Sequence, residues 1–119
     1  MSNQNPLVQA YIVTLKNKAH GTITGYSRAL DAFIVWLNQL TGEEFQPEQF
    51  TKTAVETYFV ALESRYSVSY RTLVKSALSS FADWLVEEDL LRRNPTRRVH
   101  IEAQAMLAPR ILNDEQRFI

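Results

Sequence analysis

The chain has 119 residues, 13 basic and 13 acidic side chains, no cysteine, and a hydrophobic fraction of 45%. This suits one folded domain with a core and excludes an intrinsically disordered chain; without cysteine, disulfides, zinc fingers and thiol catalysis are excluded too. No apolar run reaches the roughly 20 residues of a membrane span and the N-terminus lacks signal-peptide order, so the expected setting is the cytoplasm, with no membrane partner.

Three glycines, four prolines and a helical apolar period predict an all-α fold. Asn5-Pro6 reads as an N-cap followed by proline at the first helical position, and Leu7, Val8, Tyr11, Ile12 and Leu15 form one stripe. Lys16 and Lys18 suit the C-terminal end of that helix through its dipole. Ala19-His20-Gly21 reads as a connector and Thr22 as the cap of a second helix. The inner stripe of this helix is Ile23, Tyr26, Leu30, Phe33, Ile34 and Leu37, and Thr41-Gly42 ends it. Residues 43–47 read as loop.

Phe50-Thr51 opens a third helix. Thr51 as N-cap puts Phe50 at N′ and Val55 at N4, a hydrophobic staple, while Thr53-x-x-Glu56 offers a competing capping box. Its buried face is Val55, Tyr58, Phe59 and Leu62. Residues 67–69 carry two candidate caps for a fourth helix. That helix has Tyr70, Leu73, Ala77, Phe81, Trp84 and Leu85 inside, flanked by Val74 and Leu78. Its acidic end, Glu87-Glu88-Asp89, opposes the dipole, so packing of Leu90 and Leu91 is expected to hold it. Asn94-Pro95 stops regular structure, because the residue before proline avoids the helical region.

The charge is segregated. Residues 1–30 carry Lys16, Lys18 and Arg28 and no acid; residues 31–64 carry six acids against Lys52; residues 65–98 are again rich in arginine. Such a pattern can give a neutral protein a basic face. Off the apolar stripes lie Thr22, Thr24 and Arg28 on the second helix, and Arg71, Thr72, Lys75, Ser76 and Ser79 on the fourth. Arg71 and Lys75, four apart, share a side. Arg92, Arg93, Arg97 and Arg98 flank Asn94-Pro95. Cations that neutralise phosphates supply non-specific affinity for nucleic acid, and hydroxyls add contacts that set register. The plainer reading is that these are solvated charges, with Arg92 and Arg93 paired to Glu87 and Glu88. Other patterns carry no chemistry. His100-x-Glu102 lacks the cysteines of a zinc site, Gly21-x-x-x-Gly25 sits among polar residues, and no phosphate-binding glycine loop exists.

Thr22, Tyr26, Leu30, Phe33 and Trp36-Leu37, then Phe50-Thr51, then Thr72-Leu73, Ala77-Leu78, Phe81 and Trp84-Leu85, then Asn94-Pro95 and Pro109-Arg110-Ile111-Leu112 before acidic residues, come in a characteristic order. This order resembles the N-terminal DNA-binding domain of tyrosine recombinases, or phage-type integrases. The resemblance implies an orthogonal four-helix bundle of SAM-like fold over residues 1–95, a linker over 96–111, and at 112–119 the truncated start of a catalytic domain lying beyond. It implies double-stranded DNA as partner, with the second and fourth helices across the major groove. It implies a monomeric fragment of a parent that assembles as a tetramer on DNA. Ser79-Ser80 departs from the family, which often has arginine there. The family's tyrosine nucleophile would belong to the missing domain, so no catalytic residue, metal or cofactor is expected in this chain. The alternative is a small helical protein-interaction domain with no nucleic-acid role.

Overall fold

A computed structural model describes residues 5–97 and Val99, and each helix begins and ends for a local reason. Helix α1 spans Pro6–Val13, and the Asn5 side chain accepts the Leu7 amide at 2.8 Å. The Thr14 hydroxyl donates to the Tyr11 carbonyl and ends the helix. Lys16 and Lys18 therefore lie in an exposed turn beyond it, not in its last turn as expected.

Helix α2 spans His20–Thr41. Its N-cap is Ala19, whose carbonyl accepts the Ile23 amide, so Thr22 stands inside the first turn and does not cap. Apolar spacing could not locate this start, because the opening turn, His20 to Thr22, has no apolar residue. Gly42 ends α2 at φ 73°, a left-handed conformation that suits glycine, with its amide on the Asn38 carbonyl.

A 3-10 turn at Pro47–Gln49 leads to α3, Lys52–Glu63. Thr51 accepts the Ala54 amide at 3.1 Å, which decides between the two candidate caps. Helix α4, Val68–Glu87, is capped by Ser67 on the Tyr70 amide. Its acidic end closes in a Schellman motif. The Asp89 amide donates to the Val86 carbonyl, the Leu90 amide donates to that of Leu85, and Asp89 takes φ 62°. Backbone bonds hold this end, and Leu91 packs against the core while Leu90 stays exposed.

The core joins all four helices through Val8, Tyr11, Leu30, Phe33, Val55, Tyr58, Val74, Leu78, Phe81 and Leu85. The connector after α2 drives Phe45 and Phe50 into it, so it is a loop with a buried apolar side. The buried arc of α4 is turned from the expected one. Val74, Ala77, Leu78, Phe81, Ala82 and Leu85 are inside, together with Arg71, while Tyr70, Leu73 and Trp84 are half-buried. Large residues alone misplace the centre of this face, because α1, α2 and α3 all pack on α4 and the arc is broad. Among the described residues no helix is long and apolar enough to cross a membrane.

The most extensive helix packing is between α2 and α4. Gly25 of α2 meets Leu73 of α4. Phe33 and Phe81, each eight residues further on, both pack on the Phe50 ring, at 5.4 and 6.0 Å. Eight residues are about 12 Å of helix, so an antiparallel pair would set these rings far apart. The two helices are therefore not an antiparallel pair, and their N-terminal halves meet at the Gly25–Leu73 contact.

Candidate nucleic-acid interface

The surroundings of that contact collect several of the residues singled out from the sequence. At about 100° per residue, Arg28 lies some 60° round α2 from Gly25, toward solvent, with Thr24 a little further. On α4, Ser76 lies some 60° from Leu73 and Thr72 some 100°, again outward. Each helix thus carries exposed or half-buried polar residues next to that contact, Thr24 and Arg28 beside Gly25 and Thr72 and Ser76 beside Leu73. Arg28 and Ser76 are exposed, and Thr22, Thr24 and Thr72 are half-buried. Lys16 and Lys18 are exposed in the turn that leads into α2. The first turn of α2 has no side-chain cap, so its amides and the positive end of its dipole face outward.

Arg71 and Lys75, which share a side, do not both stand free on this surface. Arg71 is only 6% exposed, and its Nε donates to the Ser67 carbonyl at 3.3 Å. It belongs to the packed side of α4. Lys75 is half-buried, about 200° round α4 from Leu73, so it stands at the far edge from α2. Arg71 and Lys75 do share a side of α4, but the helix is rotated in its packing so that this side turns inward.

The chain that leaves α4 folds back against the C-terminal half of the helix. Asn94 Nδ2 donates to the Ser79 carbonyl at 3.0 Å, to Ser79 Oγ at 3.3 Å and to Asp83 Oδ1 at 2.9 Å. Asn94 Oδ1 accepts the amide and hydroxyl of Thr96. Asn94 and Thr96 are buried, and Val99 joins the core. In the sequence Asn94 shows only as a helix stop, and its anchoring role has no spacing signal because its partners lie 11 and 15 residues back. Ser79 is thereby engaged within the protein. Arg97 reaches Asp83 at 3.4 Å. Arg92 and Arg93 are exposed, and among the described residues neither pairs with Glu87 or Glu88. Arg98 and residues 100–119, including the expected start of a further domain, lie outside the described residues.

Three of the six acids of the middle segment stand elsewhere, whereas Asp31 lies one turn beyond Arg28 on α2. Glu43, Glu44 and Glu48 are exposed on the connector whose Phe45 and Phe50 pack at the level of Phe33 and Phe81, away from the Gly25–Leu73 contact. A second concave feature, an open groove of 440 Å³, lies between α2 and α3, with Ala32, Val35, Trp36, Tyr58, Ala61 and Tyr66 among its lining residues.

Residues 7–91 match the family described as phage integrase, N-terminal SAM-like domain. Over 121 aligned residues the chain is 29% identical to tyrosine recombinase XerC of Bacillus pumilus (strain SAFR-032), covering 98% of this chain and 39% of that protein. The chain thus spans well under half of that relative's length. No solved structure matches it.

Proposed function

The chain belongs to the phage integrase N-terminal SAM-like family, and on that premise we propose that it grips duplex DNA for a tyrosine recombinase whose catalytic residues lie in another domain. The observation that carries this reading is the meeting of α2 and α4 at Gly25 and Leu73, with the exposed Arg28 and Ser76 each one turn further along its helix. Arg28, Lys16 and Lys18 neutralise phosphates there, and the α2 amides and the hydroxyls of Thr22, Thr24, Thr72 and Ser76 add backbone contacts. Lys75 bounds the surface on one side, and Arg92 and Arg93 continue the positive charge past α4. Arg71 acts by packing. The domain holds one face of the duplex while the catalytic domain works on the other, in DNA integration or recombination in the cytoplasm. The isolated chain is a monomer, and the parent assembles as a tetramer on DNA.

A titration of the 119-residue chain against a random-sequence duplex, read by fluorescence anisotropy at two salt concentrations, tests this. Binding should be weak and should fall steeply with salt. Arg28→Ala should weaken it and reduce the slope of log K against log salt by about 0.9, one phosphate contact. Binding that is absent at low ionic strength, or flat with salt, would overturn the reading. A second reading, a protein-interaction domain, is favoured by one observation, the groove between α2 and α3 with its half-exposed Val35. Absent DNA binding would leave that groove as the better candidate surface.

A further inference from the structure

The outer row of α4 holds Thr72, Ser76, Ser79 and Asp83, spaced four, three and four apart and so on one face. The last of these is an acid, and a bare carboxylate beside a row that meets phosphates would repel the duplex. Two groups from the chain after α4 converge on it. Asn94 Nδ2 donates to Asp83 Oδ1 at 2.9 Å, and Arg97 Nη2 approaches the same oxygen at 3.4 Å. The two do not contribute alike. Asn94 is 7% exposed and is fastened at both ends of its amide, to Ser79 and to Thr96. Arg97 and Asp83 are largely exposed, at 71% and 55%, so their pair holds little of the fold together. An exposed arginine held by a buried anchor three residues before it is placed by that anchor.

We propose that Asn94 is a positioning residue for duplex binding. Resting on the DNA-gripping reading above, it sets the turn at 94–97 so that Arg97 cancels the charge of Asp83 at the end of the α4 row. Arg97 acts through Asp83 and not through a phosphate of its own. The hydroxyls of Thr72 and Ser76 can then lie along the duplex without an acid facing it at the end of their row.

Affinity of the full chain for a random-sequence duplex, measured at one low salt concentration in four variants, tests this. Arg97→Ala and Asn94→Ala should each weaken binding roughly threefold, about the effect of one charge over a threefold to fourfold salt change. Asp83→Asn alone should bind at least as well as wild type. The deciding variant is Asp83→Asn/Arg97→Ala. With no acid left to cancel, removal of Arg97 should now cost less than twofold. A loss of affinity from Arg97→Ala that is equal in both backgrounds would overturn the proposal, since Arg97 would then be meeting phosphate directly. So would unchanged binding in Arg97→Ala. Arg97 and Asp83 are surface residues, so these variants keep the fold even where Asn94→Ala does not. If wild type fails to bind DNA, the gripping reading falls and takes this proposal with it. If wild type binds and the cycle shows no coupling, this proposal alone falls.

Discussion

A methyl group placed on Gly25 would stand 3.6 Å from Cδ2 of Leu73, in ordinary van der Waals contact across the α2–α4 seam. Glycine inside a helix costs about 0.5–1 kcal/mol relative to alanine, and nothing here demands its freedom. Gly25→Ala should therefore stabilise the domain by roughly that amount and raise the thermal midpoint by several degrees. Gly25→Leu has no such room and should wedge the helices apart. Thermal melts of the two variants check this, and the leucine variant should also lose duplex affinity, because Arg28 and Ser76 would separate.

Asp89 occupies the left-handed position of the Schellman motif at φ 62°. An L-residue pays about 1–2 kcal/mol there, less for aspartate, and this one also sets a negative charge at the negative end of the α4 dipole. Asp89→Gly should relieve both and stabilise by about 0.5–1 kcal/mol. Asp89→Val, which resists positive φ, should destabilise. Urea midpoints of the two variants should move in opposite directions.

What could be read from the sequence was what acts over short distances. Asn5, Thr51 and Ser67 announce their helices because a cap bonds an amide two or three residues on. The start of α2 was misplaced because its cap, Ala19, offers no side-chain acceptor. Phe45 enters the core from a connector with no period to betray it, whereas Phe50 is legible as the apolar residue before the Thr51 cap. The seam at Gly25 and Leu73, the burial of Arg71 and the anchoring of Asn94 join residues far apart in sequence or depend on how far a helix is rotated in its packing. Spacing within one helix tells which residues share a side, as it did for Arg71 and Lys75, but not which side faces a neighbour.

Alkaline pH should unfold the protein through its buried tyrosines. Burial raises the Tyr58 phenol well above its ordinary value, with a smaller push from Tyr70 and Tyr66, and burial raises Tyr11 and Tyr70 as well. A folded-state pKa above the unfolded value of about 10 means that stability is complete below pH 10 and is lost as pH rises toward the folded value. Urea midpoints should therefore hold up to about pH 10 and decline above it. Tyr58→Phe, which has no proton to lose at that position, should flatten the decline. An equal decline in both proteins would mean that Tyr58 ionises freely in the fold.

Arg71 and Arg28 should separate folding from binding. Arg71 is buried, with its Nε on the Ser67 carbonyl at the very residue that caps α4. Removal of the side chain leaves a cavity and loosens the first turn of the helix, whatever the charge does. Arg71→Ala should lower stability by about 1–3 kcal/mol while leaving the salt dependence of duplex binding unchanged at temperatures where it is folded. Arg71→Met, which keeps most of the aliphatic stem, should recover part of the loss. Arg28→Ala, on the exposed flank of α2, should do the reverse, with a thermal midpoint near wild type and a smaller salt slope. A fall in salt slope for Arg71→Ala equal to that for Arg28→Ala would mean that the Arg71 side chain leaves its site on α4 to meet the duplex, and the seam would then no longer mark the centre of the bound surface.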